Sequence, residues 1–203
     1  MGRFITVEGG EGVGKSLFCK KIEKHLNKKG VETLLTREPG GGPLGADVRK
    51  WLQDPNLNPS SKTELLLVSA ARIEHIRQLI LPFVEKNGVV ICDRYMDSTR
   101  IYQGVLGGVD TVWVESVIQQ TIQGLEPEVT FLLDCPVDIA MKRMESRGCG
   151  KSRFDAQSAE QHECIRQGFL DLAHQYSSRI KLIDASRSPE YTLAQAVAHL
   201  EVL

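Results

Sequence analysis

The chain has 203 residues, 25 Lys plus Arg against 26 Asp plus Glu, and 41% apolar residues. That length and apolar share suit one compact domain with a sizeable core and exclude an intrinsically disordered chain. A formal net charge of −1 argues against a nucleic-acid partner, because a phosphate backbone is normally met by a marked basic excess.

No apolar run approaches the roughly 18 residues needed to span a bilayer, and the opening residues lack the basic, apolar, small-residue order of a signal peptide. No membrane association and a cytoplasmic location are therefore expected. The five cysteines, Cys19, Cys92, Cys135, Cys149 and Cys164, are scattered and odd in number. They form neither a disulfide framework nor a CxxC metal site, and most of them read as small buried apolar side chains. The five histidines show no ligand spacing, and His75 and His162 read as helix surface or boundary residues.

In chain order, short apolar runs alternate with segments of helical period, the pattern of a parallel sheet covered by helices on both faces. The first strand is expected over 4–8. Directly after it, Gly9-Gly10-Glu11-Gly12-Val13-Gly14-Lys15-Ser16 satisfies GxxxxGK[ST], and directly after that Phe18, Ile22 and Leu26 form a helical stripe. This strand–loop–helix context is what a phosphate-binding loop demands. Glycines there admit positive φ and let successive amides approach phosphate oxygens. The helix N-terminus adds partial positive charge, Lys15 is expected to reach the β and γ phosphates of a nucleotide, and the Ser16 hydroxyl to ligate Mg²⁺.

A second strand is expected over 31–36, followed by a polar, Gly-bearing loop over 37–45 and a helix carrying Arg49. A helix after Thr63 carries the stripe Ile73, Ile76, Ile80 and Phe83. The third strand, 89–92, delivers Asp93-Arg94-Tyr95 to the carboxyl end of the sheet, where ligands of doubly wound folds bind. Asp93 there is able to hold Mg²⁺ through water, and the planar fork of Arg94 suits bidentate contact with a phosphate. A helix with Val114, Val117, Ile118 and Ile122, a strand over 130–134 and a helix with Ile139, Ala140 and Met144 come next. The loop 148–157 then carries two glycines and a basic tip, and it leads into a helix striped by Ile165, Phe169, Leu172 and Tyr176. A fifth strand over 180–184 and a last helix with Leu193, Val197 and Leu200 close the chain. The expected fold is thus α/β, a P-loop three-layer architecture whose five-stranded parallel sheet has helices on both faces. No internal repeat and no linker break it, so residues 1–203 are expected to form one domain with a lid at about 148–157.

The phosphate loop alone is shared by switches, motors and kinases. No Asn-Lys-x-Asp guanine element follows a later strand, the near match Asn27-Lys28-Lys29-Gly30 ends in glycine, and the chain is too short for the added domains of a motor, so a small phosphotransferase leads. Glu11, Thr36-Arg37-Glu38-Pro39-Gly40-Gly41, Ala70-Ala71-Arg72, Asp93-Arg94-Tyr95, Asp97-Ser98-Thr99 and Tyr102-Gln103-Gly104 together resemble the thymidylate kinases of the bacterial type over essentially the whole chain. The resemblance implies transfer of the γ-phosphate of ATP to dTMP, giving dTDP and ADP for dTTP supply, with Mg²⁺ as cofactor and a homodimer as the working form.

By the same resemblance, residues 9–16, together with Arg143, bind ATP: Gly9, Gly10, Glu11, Gly12, Val13, Gly14, Lys15 and Ser16. Glu11 lies near the 3′-hydroxyl of dTMP. Arg37 and Arg94, with Arg49, serve the acceptor phosphate. Arg72 donates to thymine O4, Ser98, Thr99 and Gln103 add base contacts, and Tyr102 packs beneath the deoxyribose. Lys15, Arg94, Glu11 and Arg153 form the catalytic group, Arg153 being the lid arginine that meets the transferred phosphoryl and Arg147 its alternative. One departure stands out: many family members place Phe where this chain has Val68, and Val68 lines the base pocket without stacking on thymine. The alternatives are another (deoxy)nucleoside monophosphate kinase and a nucleotide-binding module without turnover.

Overall fold

The computed structural model describes residues 2–146 and 153–200. Five strands, β1 (Arg3–Glu8), β2 (Thr33–Arg37), β3 (Val89–Asp93), β4 (Val129–Asp134) and β5 (Ile180–Asp184), form one all-parallel sheet in the order β2-β3-β1-β4-β5. In the central register Ile5 pairs with Ile91 on one side and Val129 on the other.

Side chains of a strand alternate between faces, and a strand covered on both faces has to be apolar throughout. In β1, Ile5 and Val7 join Ile91, Phe131 and Leu133 under α1 (Lys15–Lys28) and α9 (Pro189–Leu200), whereas Phe4 packs on the opposite face. There it meets Val90, Cys92 and the apolar faces of α3 (Ser61–His75) and α6 (Thr111–Ile122). Thr6 and Thr130 are polar side chains buried inside the sheet, and their hydroxyls satisfy each other at 2.7 Å. The remaining helices are α2 (Gly42–Gln53), α4 (Leu81–Glu85), α5 (Met96–Thr99), α7 (Val137–Ser146) and α8 (Ala159–Gln175).

The loop expected over 37–45 is shorter than its composition implied. Gly41 is the N-cap of α2, and Pro43 in the first turn costs nothing because that amide has no helical acceptor. Two π-helical stretches were not foreseen. The first, Ile76–Ile80, joins α3 to α4 immediately before Pro82, whose ring and missing N–H cannot fit an uninterrupted α-helix. The second, Arg100–Leu106, continues α5 and carries buried Tyr102 and Gln103 to the carboxyl edge of the sheet. The chain moves from β1 outward to β2 and β3, then back across to β4 and β5, so the reversal of strand order opens a crevice at the carboxyl ends of β1, β3 and β4.

Candidate active site

A cleft of about 1060 Å³ occupies that crevice, lined by the loop after β1, by Arg37 after β2, by Asp93 and Arg94 after β3, and by Val68 and Arg72 from α3. The loop conformation is one that only glycine accepts easily. Gly9 has φ 136°, and a Cβ there would come within 2.5 Å of the Leu133 carbonyl. Gly12 has φ 76°, and a Cβ would meet the Ala140 carbonyl at 2.3 Å. Gly14 caps α1, and Lys15 begins it with its Nζ donating to the carbonyls of Gly9 at 3.0 Å and Gly10 at 2.5 Å. Burial and neighbouring Arg94 hold the Lys15 ammonium down to about 8. Next along the helix, the Ser16 hydroxyl donates to Asp93 Oδ2 at 2.8 Å, with Arg37 Nη2 at 3.7 Å from the same oxygen. These are hard oxygen donors with room for phosphate and water ligands, a set that fits Mg²⁺. Among the described residues no cluster of three or more His, Cys, Asp or Glu side chains makes a closed metal site.

Arg94 is the hub. Its backbone has φ 73°, an uncommon conformation for a side chain of this size. Nη1 donates to the Gly9 carbonyl and to Ser98 Oγ, both at 3.1 Å, and Nη2 donates to Glu11 Oε1 at 2.6 Å. The guanidinium lies 5.0 Å from the Tyr102 ring centre, and the Tyr102 hydroxyl donates to Glu11 Oε1 at 3.0 Å. Burial acts to raise the Glu11 pKa, but Arg94 and Lys15 outweigh it and bring the carboxyl to about 2. Glu11 is thus an anion at all working pH values, flanked by two cations beside the phosphate loop.

The backbone of this turn is held by Glu8, a residue that sequence reasoning passed over. Glu8 is 1% exposed and accepts from the Tyr95 amide at 2.7 Å, the Ser98 amide at 3.1 Å and the Ser98 hydroxyl at 2.6 Å. A carboxylate ending a strand buried on both faces has to find such partners, and that position was the available signal. Burial first, then nearby Asp97, pushes Glu8 up to about 7 against the opposing pull of Arg94. The unfolded chain loses this proton near 4.5, so between about 4.5 and 7 it binds fewer protons than the fold does, and the contribution of this group to stability falls as pH rises through that window. Thermal melts of Glu8→Gln should therefore show a flatter Tm between about pH 4.5 and pH 7.5 than wild type; parallel curves would remove Glu8 as a source of the pH dependence.

The other expected residues lie around the same cleft. Arg72 is 2% exposed and is held by Glu38 and Thr99, with Nε donating to Glu38 Oε2 at 2.7 Å and Nη2 to Thr99 Oγ1 at 2.9 Å. Val68, one turn before it, also lines the cleft. Arg49 Nη1 donates to the Pro39 carbonyl at 3.1 Å, and Arg143, in the last turn of α7, donates to the carbonyls of Ala185 at 2.8 Å and Ser186 at 3.2 Å. Ser98 Oγ is committed to Glu8 and Arg94, and Gln103 Nε2 donates to Glu64 Oε2 at 3.1 Å. Arg153 pairs with the other oxygen of Glu64, and Phe154 meets the Tyr102 ring edge-on with centres 5.6 Å apart. Arg147 and residues 148–152 of the expected lid lie outside the described residues. His75 and His162 are buried, at 2% and 6% exposure, and so are not surface residues, although His75 does stand at a helix boundary as the last residue of α3: the first is drawn in by Glu38 and the second packs behind the phosphate loop. Cys19, Cys92 and Cys135 are buried as expected, whereas Cys164 is exposed on α8.

The sequence profile of the family described as thymidylate kinase matches residues 7–196. The chain belongs to the thymidylate kinase family. It is 40% identical over 202 residues to the thymidylate kinase of Chlamydia muridarum, covering 98% of this chain and 99% of that one. It is 41% identical over 201 residues to that of Chromohalobacter salexigens, covering 98% and 95%. The crystal structure of thymidylate kinase from Ehrlichia chaffeensis superposes with a TM-score of 0.80 at 29% identity and 98% coverage of both chains. The activity of the family is phosphorylation of dTMP to dTDP, and the P-loop kinase character of the chain agrees with it. A non-catalytic nucleotide module and a kinase of a different monophosphate family are set aside by these matches.

Proposed function

We propose that the cleft holds ATP and dTMP end to end, with the phosphate loop and Arg143 on the donor side and Arg72, Arg37, Arg49, Ser98, Thr99, Tyr102, Gln103 and Val68 on the acceptor side. The observation that carries this reading is the Arg94–Glu11–Tyr102 unit, which ties the donor loop directly to the acceptor wall. Lys15 and the amides of Gly9–Gly14 neutralise the β and γ phosphates, and Arg94 orients the acceptor phosphate. That phosphate is already anionic at pH 7, so one of its oxygens attacks the γ-phosphorus directly, the bond to the β-bridging oxygen breaks, and ADP leaves. No general base is required; positioning and charge neutralisation supply the catalysis. Ser16 and, through water, Asp93 would hold Mg²⁺, which would supply further neutralisation of phosphate charge when bound. Glu11 meets the deoxyribose 3′-hydroxyl and, through Arg94, keeps the acceptor phosphate in place.

The single domain 1–203, a lid at about 148–157 and a homodimer belong to the same reading and rest on the family resemblance. Among the described residues no helix is long and apolar enough to cross a membrane, which accords with the cytoplasmic location proposed. A coupled ADP-release assay with ATP, Mg²⁺ and a panel of dTMP, dUMP, UMP, CMP and AMP tests the acceptor. The expected result is highest kcat/KM for dTMP, with dUMP lower by the roughly 1 to 3 kcal/mol that one methyl contributes in an apolar pocket. Equal use of dUMP, or preference for UMP, overturns the assignment.

A further inference from the structure

The guanidinium that faces the acceptor pocket does not stand alone. Arg72 Nε is bound by Glu38 Oε2 at 2.7 Å, Nη2 by Thr99 Oγ1 at 2.9 Å, and the guanidinium carbon lies 5.0 Å from the Tyr95 ring centre. Nη1 is buried and is the one guanidinium nitrogen with no hydrogen-bond partner in the protein. The carboxylate that sets this orientation is itself restrained. Glu38 is 6% exposed, and its second oxygen, Oε1, accepts from His75 Nδ1 at 2.9 Å. On the far side of the ring, His75 Nε2 meets the Thr36 hydroxyl at 2.7 Å. One tautomer, with Nδ1 donating to Glu38 and Nε2 accepting from Thr36, satisfies both contacts. The ring also lies so close to the loop that a Cβ on Gly41 would come within 2.1 Å of Nε2. Strand β2, the loop before α2 and the end of α3 are therefore joined at His75.

We propose that Glu38 and His75 are positioning residues for acceptor-base selection: His75 stops the Glu38 carboxylate from turning, and Glu38 fixes Arg72 so that Nη1 is the donor presented to the base. A guanidinium can only donate. Held in one orientation, it favours a pyrimidine with a carbonyl at C4 over one with an amino group there, because the amino group would leave two donors facing each other. Freed to rotate, it loses that discrimination. The side chains of the pair bond to Arg72, to each other and to Thr36, and not to Lys15, Ser16, Asp93 or Arg94, so its loss should affect the base and not the transfer step. This inference rests on the reading of Arg72 as the base contact.

The test is steady-state kinetics with dTMP and dCMP for wild type, Arg72→Ala, Glu38→Gln, His75→Phe and His75→Asn. Glu38→Gln and His75→Phe are each expected to raise the dTMP KM about tenfold and to shrink the dTMP/dCMP ratio of kcat/KM by a similar factor, the loss tied to one charge-assisted contact. Values of kcat and of the ATP KM should stay within about threefold of wild type. His75→Asn, whose side-chain amide donates from near the place of Nδ1, should recover most of the ratio, which a purely space-filling role for His75 would not produce. If Arg72→Ala lowers the ratio while folded Glu38→Gln and His75→Phe keep it, the positioning role is wrong. If Arg72→Ala itself leaves the ratio unchanged, the reading of Arg72 fails first. Should Glu38→Gln not fold, the two His75 variants decide: Phe low and Asn recovered supports the proposal, and equal ratios overturn it.

Discussion

Replacing Lys15 by alanine is expected to lower kcat by about a thousandfold or more, because the transition state of phosphoryl transfer spreads negative charge over the γ-phosphate and Lys15 is the ammonium we propose to meet it. The side chain is 8% exposed and already gathered against the Gly9 and Gly10 carbonyls, so it meets phosphate in a site of low dielectric where a charge is worth more than in water. The dTMP KM should change little by comparison, since Lys15 belongs to the donor side. Steady-state kinetics at saturating ATP and dTMP check the prediction, and a Lys15→Ala enzyme within about tenfold of wild-type kcat would contradict it.

Arg153 is expected to give the second large effect. The phosphate loop contains no arginine between Gly9 and Ser16, so an arginine that follows the developing charge has to come from elsewhere in the chain. In the structure Arg153 rests on Glu64 of α3, neither of them lining the cleft, whereas the neighbouring Phe154 does line it and lies beside Tyr102. Its side chain is 23% exposed but that of Glu64 is only 9% exposed, so removing Arg153 costs some stability and leaves Gln103 as the remaining donor to Glu64; the kinetics are read on enzyme shown to be folded. An arginine that acts mainly in the transition state lowers kcat far more than either KM. Arg153→Ala should therefore lose kcat by on the order of a hundredfold or more with near-constant KM values. Retention of more than about a third of kcat would assign the role to another residue.

The contrast between what periodicity revealed and what it did not has a physical cause. The five strands are legible because burial on both faces forces continuous apolar runs; expected and observed spans coincide for 180–184 and differ by one or two residues elsewhere. The third strand is expected to end at Cys92, yet Asp93 pairs in register with Val7 and Arg37. The phosphate loop was legible because its glycines and its Lys-Ser pair answer local demands of backbone and charge. Glu8, Glu38, Glu64 and His75 were not, because each is a polar residue whose burial is made affordable only by a partner far along the chain. Glu38 and Arg72 are 34 residues apart, and Glu8 meets Ser98 across 90. Their types are those of ordinary surface residues, and only the tertiary fold distinguishes them. The π-helical stretch carrying Tyr102 escaped for a similar reason: a helix that widens by one residue per turn keeps the composition of an ordinary helix.

The proposed cleft has two separate nucleotide sides joined through Arg94 and Glu11. Equilibrium titration of ATP and of dTMP, each into Lys15→Ala and into Arg72→Ala, tests it most directly. A crossed result is expected: Lys15→Ala weakens ATP and spares dTMP, while Arg72→Ala weakens dTMP by about tenfold or more and leaves the ATP Kd nearly unchanged. An Arg72→Ala protein that binds dTMP normally and ATP poorly would contradict it.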